Sequence, residues 1–193
     1  MKLPGVSTDR LATRRGFLRA PRLLAAFIVS VALFAALTRA DAPREYAVKA
    51  AFLFKLTKYV QWPASPPTFS IGVLGEDPFG SVLDELVKGE SINKRPVTIK
   101  RSARVDDLKS CDVLFIGKSE KGQLRAIMRE LGQNKILTVG DTEGFCREGG
   151  IINLIIDNGR LSFEINSTAA KKHGIVIDPQ VLSLARIVDS DPG

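Results

Sequence analysis

The chain has 193 residues, 45% of them hydrophobic and 25% charged, which is ordinary for a single globular domain. Its net charge of +7 does not mark a nucleic-acid-binding protein. Seven of the 28 basic groups but one of the 21 acidic groups lie in residues 1–40, leaving 21 against 20 in the rest of the chain.

The first 40 residues have the layout of an export signal. Basic residues precede "LLAAFIVSVALFAAL" (23–37), an uncharged apolar run of 15 residues, and small residues follow it. A spanning helix needs about 20 such residues. Cleavage after Ala40 and release into the periplasm is therefore the expectation, with an inner-membrane anchor at 23–37 as the alternative. "TRRGFLRA" (13–20) resembles a twin-arginine export motif through Arg14 and Arg15. An ordinary basic leader would read the same way, so the export route stays open. The remainder, 41–193, is expected to be one domain.

The exported part opens on "EYAVKAAFLFKLTKYVQWP" (45–63). At 100° per residue Tyr46, Val48, Phe52, Leu53, Leu56, Tyr59 and Val60 fall near one side, which predicts a helix ended by Pro63. It is too apolar around its girth to lie on a surface, so it should cover a core. Any exposed remainder, with Phe54 or Trp62, would serve as a partner or dimer surface.

"FSIGVLG" (69–75), "PVTIKR" (96–101), "DVLFIG" (112–117) and "ILTVGD" (136–141) read as strands. "FGSVLDELVKG", capped by Asp77-Pro78, and "KGQLRAIMRELG" read as the helices between them. The alternation predicts an α/β fold, a parallel sheet flanked by helices. "IINLIIDNGRLSFEIN" (151–166) breaks it with an antiparallel hairpin turning at Asn158-Gly159. A two-residue loop fixes the register: Ile152 faces Ile165, Leu154 faces Phe163, Asn153 faces Glu164. Coming late in the chain, the hairpin is expected at an edge or as an added ribbon. "STAAKKHG" follows as a helix capped by Asn166 or Ser167, and "PQVLSLARIV" as a last helix.

No coherent catalytic set emerges. "GVLGEDPFG" lacks the Lys-Ser/Thr of a phosphate loop, and its acids would repel phosphate. One histidine, His173, and two distant cysteines make neither a zinc site nor a Cys-His pair. Cys111 and Cys146 fall at opposite edges of a parallel sheet, which argues against a bond between them. Two thiols or an intermolecular bridge are expected. Glu164 beside Asn153 reads either as a general base with an orienting amide or as a cross-strand polar pair. Ile151, Asn153, Glu164 and Asn166 share the polar face of the hairpin and offer a candidate docking patch. No cofactor and no metal are expected.

In their order and spacing, "EYAVKAAFLFKLTKYVQWP", "IGVLGEDPFG", "CDVLFIG", "LTVGDTEGFCREGGIINLII", "RLSFEIN" and "AAKKHGI" together resemble the YfiR family over about Glu45 to Val188. The resemblance implies an exported, non-enzymatic regulator. It would bind and repress the periplasmic part of an inner-membrane diguanylate cyclase of YfiN type, lowering cyclic di-GMP and biofilm formation. An outer-membrane lipoprotein of YfiB type would relieve that repression. YfiR proteins also use disulfides. The competing reading from the residues is an exported small-ligand-binding protein or hydrolase using the 140–150 loop and Glu164.

Overall fold

The computed structural model describes residues 41–62, 66–157 and 159–189; the leader with Arg14, Arg15 and Ala40 lies outside the described residues. Five strands carry the parallel part of the sheet: β1 (Phe69–Leu74), β3 (Arg95–Ser102), β4 (Val113–Ile116), β5 (Leu137–Gly140) and β6 (Ile152–Asp157). With β2 (Ser91–Ile92), β7 (Arg160–Ile165) and β8 (Arg186–Ile187) the order is β2-β3-β1-β4-β5-β6-β7-β8. The α/β fold with its C-terminal antiparallel pair is the one the sequence predicts. β6 and β7 pair in the predicted register, Ile152 with Ile165, Asn153 with Glu164 and Leu154 with Phe163.

Helices cover both faces. On one, α1 (Asp41–Thr57) and α2 (Ser81–Val87) pack with α4 (Ser167–Lys172) and α5 (Pro179–Leu184). Leu53, Leu83 and Ala170 meet Ile71, Val113, Val139 and Ile152 there. On the other, a 3-10 turn at Val105–Leu108 and α3 (Leu124–Leu131) place Leu108, Leu124 and Ile127 against Leu74, Leu114 and Ile116. Strand side chains alternate between these two cores. Each fully buried Leu or Ile stabilises by about 1.5–3 kcal/mol.

The elements depart from expectation where pairing overrides pattern. α1 ends at Thr57, not at Trp62. Residues 59–61 pair instead with 176–178 through the Val60–Ile177 bridge, and the Trp62 indole donates to the Thr57 carbonyl at 2.6 Å. α2 starts at Ser81 rather than after Asp77, whose carboxylate accepts from the Phe79 N–H at 2.8 Å. Asn93 and Lys94 turn tightly with positive φ to form the β2–β3 hairpin that the sequence did not announce. Of the two places expected for the β6–β7 hairpin it takes the edge and is no added ribbon: β6 pairs parallel with β5 and extends the main sheet, and only the two-residue β8 lies beyond β7. The final helix stops at Leu184, and the chain then pairs with the open edge of β7 as β8.

Candidate functional site

Lys118 follows β4, Asp141 follows β5, and Leu154 to Ile156 form the second half of β6, so all lie at the carboxyl edge of the sheet. Sheets of this kind hold their ligands outside that edge. There a cleft of about 520 Å³ opens, its walls supplied by α1, the 141–147 loop and the β6–β7 hairpin. Clefts of roughly 300–1,000 Å³ are usual for small molecules.

One wall is a buried charge cluster. Lys49 sits one helical turn after Glu45 on α1, in an otherwise apolar stretch, and is only 2% exposed. An ammonium so deeply buried must be paired. It pairs with Glu45 and, at 2.6 Å, with Asp141 Oδ2. The same oxygen accepts from the Tyr46 hydroxyl at 2.9 Å and faces Lys118 Nζ at 3.4 Å. Burial, and then the Asp141 charge, raise the Tyr46 phenol well above its ordinary value. Asp141 Oδ1 is buried as well and has no partner among the described residues.

The opposite wall is the hairpin. Asn153 Nδ2 donates to Glu164 Oε2 at 3.1 Å, while Glu164 Oε1 pairs with Arg186 on β8. The carboxylate can only accept from its amide partner, so it fixes which way the Asn153 amide points. Asn153 Oδ1 is left buried and without a partner among the described residues.

The loop between these walls contributes Glu143, Gly144 and Arg147. It is fastened by Phe145, which packs between two glycines. A Cβ at Gly140 would stand 2.4 Å from that ring and one at Gly150 2.1 Å, so neither position has room for a side chain. Asn166 Nδ2 holds the Cys146 carbonyl at 2.8 Å.

This arrangement re-sorts the residues expected to dock a partner. Ile151 and Asn166 are core residues: Ile151 packs in the cluster beneath α1 and α4, and the Asn166 side chain caps α4 by accepting from the Ala169 N–H at 2.8 Å. Asn153 and Glu164 are also buried, yet both line the cleft. Phe54 is buried and belongs to the same core cluster as Leu53 and Ile177. Trp62 is half-buried, edge-on to Phe69 at 5.0 Å between centroids. Among the described residues the polar face of the hairpin is thus an inner wall rather than an outer patch. Lys49, Tyr46 and Asp141 went unnoticed in the sequence; an acid immediately after a parallel strand was the available signal.

The two oxygens of Glu164 are engaged by Asn153 and Arg186. Both cysteines are buried and free, and burial pushes the Cys146 thiol up to about 12. Among the described residues no three His, Cys, Asp or Glu side chains gather to hold a metal, and no helix is long and apolar enough to cross a membrane.

Two solved structures share the fold. One is the ABC domain in complex with L-Trp from Streptococcus pneumonia, at 14% identity and TM-score 0.53, over 72% of this chain and 60% of that one. The other is a conserved domain protein from Vibrio cholerae, at 17% identity and TM-score 0.52, over 72% and 59%. The chain thus spans about three fifths of each, and at these identities the likeness concerns the fold alone. Residues 46–186 match the YfiR/HmsC-like family, a span that begins at the Tyr46 of the charge cluster and ends at the Arg186 of the opposite wall. That family is regulatory rather than catalytic, periplasmic, and associated with cyclic di-GMP signalling. With most of its length matched, this chain belongs to the YfiR/HmsC-like family.

Proposed function

We propose that this protein is an exported, non-enzymatic regulator that binds the periplasmic part of an inner-membrane diguanylate cyclase and represses it. The observation that carries the reading is the family match over residues 46–186. The apolar run at 23–37 supports a cleaved leader, with maturation after Ala40. A cyclase of YfiN type is the partner this reading requires, and an outer-membrane lipoprotein of YfiB type would compete for the same regulator. A homodimer is compatible with both contacts.

The test is genetic and biochemical together. Deleting the gene should raise cellular cyclic di-GMP, and tagged protein should recover a membrane cyclase from the envelope. Unchanged cyclic di-GMP together with no cyclase on the tagged protein would remove this reading. N-terminal sequencing of the mature chain should begin at Asp41; a start at Met1 or Lys2 would replace release with anchoring.

A further inference from the structure

The carboxyl-edge cleft carries features that folding does not require. Buried polar atoms are almost always hydrogen-bonded, and an orphan costs about 1–3 kcal/mol. Here two acceptors, Asp141 Oδ1 and Asn153 Oδ1, are buried without partners among the described residues, and both belong to residues lining the same cleft. Each is turned the same way chemically: both ask for a donor.

Charge narrows what the donor can be. The four carboxylates and four cations that line the cleft cancel. A phosphate or nucleotide therefore meets no excess of positive charge. A cationic ligand fares no better, because Asp141 already faces the ammonium groups of Lys49 and Lys118 and would present a third cation to both. Neutral donors, hydroxyl or amide, fit both orphan oxygens without adding charge. Donors for the ligand's own oxygens are at hand in the exposed Arg147 guanidinium and in Lys118, whose side chain is 56% exposed. Beside them the half-buried Ile155, on the same face of β6 as Asn153, gives an apolar surface on which a C–H face can rest.

We infer that the cleft binds a neutral polyhydroxylated molecule, a mono- or short oligosaccharide. One ligand hydroxyl donates to Asp141 Oδ1 and another to Asn153 Oδ1, and Arg147 donates to a ligand oxygen. This goes beyond cyclase repression and gives the regulator a small-molecule input of its own.

The experiment uses the purified protein and isothermal titration calorimetry against three probe sets: neutral mono- and disaccharides, including N-acetylated ones; free amino acids; and inorganic phosphate with mononucleotides. A saccharide should bind saturably. Arg147→Ala, which removes an exposed side chain, should weaken it about tenfold with the thermal midpoint unchanged. Asn153→Ala should weaken it at least as much. Binding of amino acids or phosphates with no saccharide bound would overturn the assignment, as would silence from all three sets in protein shown folded by circular dichroism. Full-strength saccharide binding by Arg147→Ala would place the sugar elsewhere and overturn it too. None of these outcomes touches cyclase repression, which the deletion and pull-down decide separately.

Discussion

Two buried ion pairs stand at opposite ends of one sheet, and they are built differently. At the amino edge Asp112 uses both carboxylate oxygens on Arg95, each at 2.9 Å, and takes the Ser70 N–H at 2.8 Å as well. At the carboxyl edge Asp141 puts Tyr46, Lys49 and Lys118 on a single oxygen and leaves the other empty. Both pairs are equally hidden from water, so burial does not tell them apart. Saturation does. A carboxylate whose every acceptor position is used by neighbours in the fold serves the fold, whereas one held by half keeps a place for something else.

The difference can be tested by removing each acid in turn. Asp112→Ala should have the larger effect, about 3–5 kcal/mol, because it takes the Asp112 carboxylate from a buried guanidinium and the acceptor from the Ser70 N–H together. The urea midpoint should fall with an unchanged slope. Asp141→Ala should cost less, about 2 kcal/mol, because Lys49 keeps Glu45 and Lys118 is free to turn to solvent. Equal losses in the two variants would erase the distinction between the edges. Next comes Gly150→Ala, which drives a Cβ against the Phe145 ring and should cost about 1–3 kcal/mol by displacing the loop over the cleft. Its thermal midpoint should drop, and ligand affinity should drop with it.

The smallest effect belongs to Tyr46→Phe, about 1 kcal/mol near neutrality for the lost hydrogen bond to Asp141. It also carries a pH signature. The folded-state phenol is raised above its unfolded value of 10.0, so the folded chain favours the protonated form. Its contribution is present below about pH 10 and declines as the pH climbs toward the folded value. Stability of the parent should therefore fall more steeply in alkali than that of Tyr46→Phe, followed by circular dichroism during a base titration.

The sequence made the sheet readable because strands announce themselves by apolar runs and because Asn158-Gly159 fixes a register arithmetically. Short pairings were not readable: β2 and β8 are two residues each, too brief for any periodicity, and both form because an edge is there to receive them. The cleft was hidden for a related reason. Its parts come from residues 45–49, 118, 141–147, 153–156, 164 and 186, and only chain folding brings them together. Periodicity placed Lys49 on a helix but could not say what lay opposite it. Glu164 and Asn153 were recognised as a pair, yet whether their face looked outward depended on where the 141–150 loop settled. Phe145 decides that, through two glycines whose lack of a side chain has meaning only once the ring is seen between them.

Trp62, the chain's single tryptophan, gives the molecule an optical probe at one address. Its indole is hydrogen-bonded to the last turn of α1 and lies against the Phe69 ring at the start of β1, so its emission reports on the amino end of the sheet. Tyr46 and Lys49 belong to the first half and the middle of the same helix, two or more turns before its end at Thr57. A change in tryptophan fluorescence therefore signals that α1 has lifted from the sheet, while events confined to the cleft leave it dark. A tryptophan placed at Ile155 in a Trp62→Phe background would report on the other end, and comparison of the two single-tryptophan proteins would separate loosening of the helix from occupancy of the cleft.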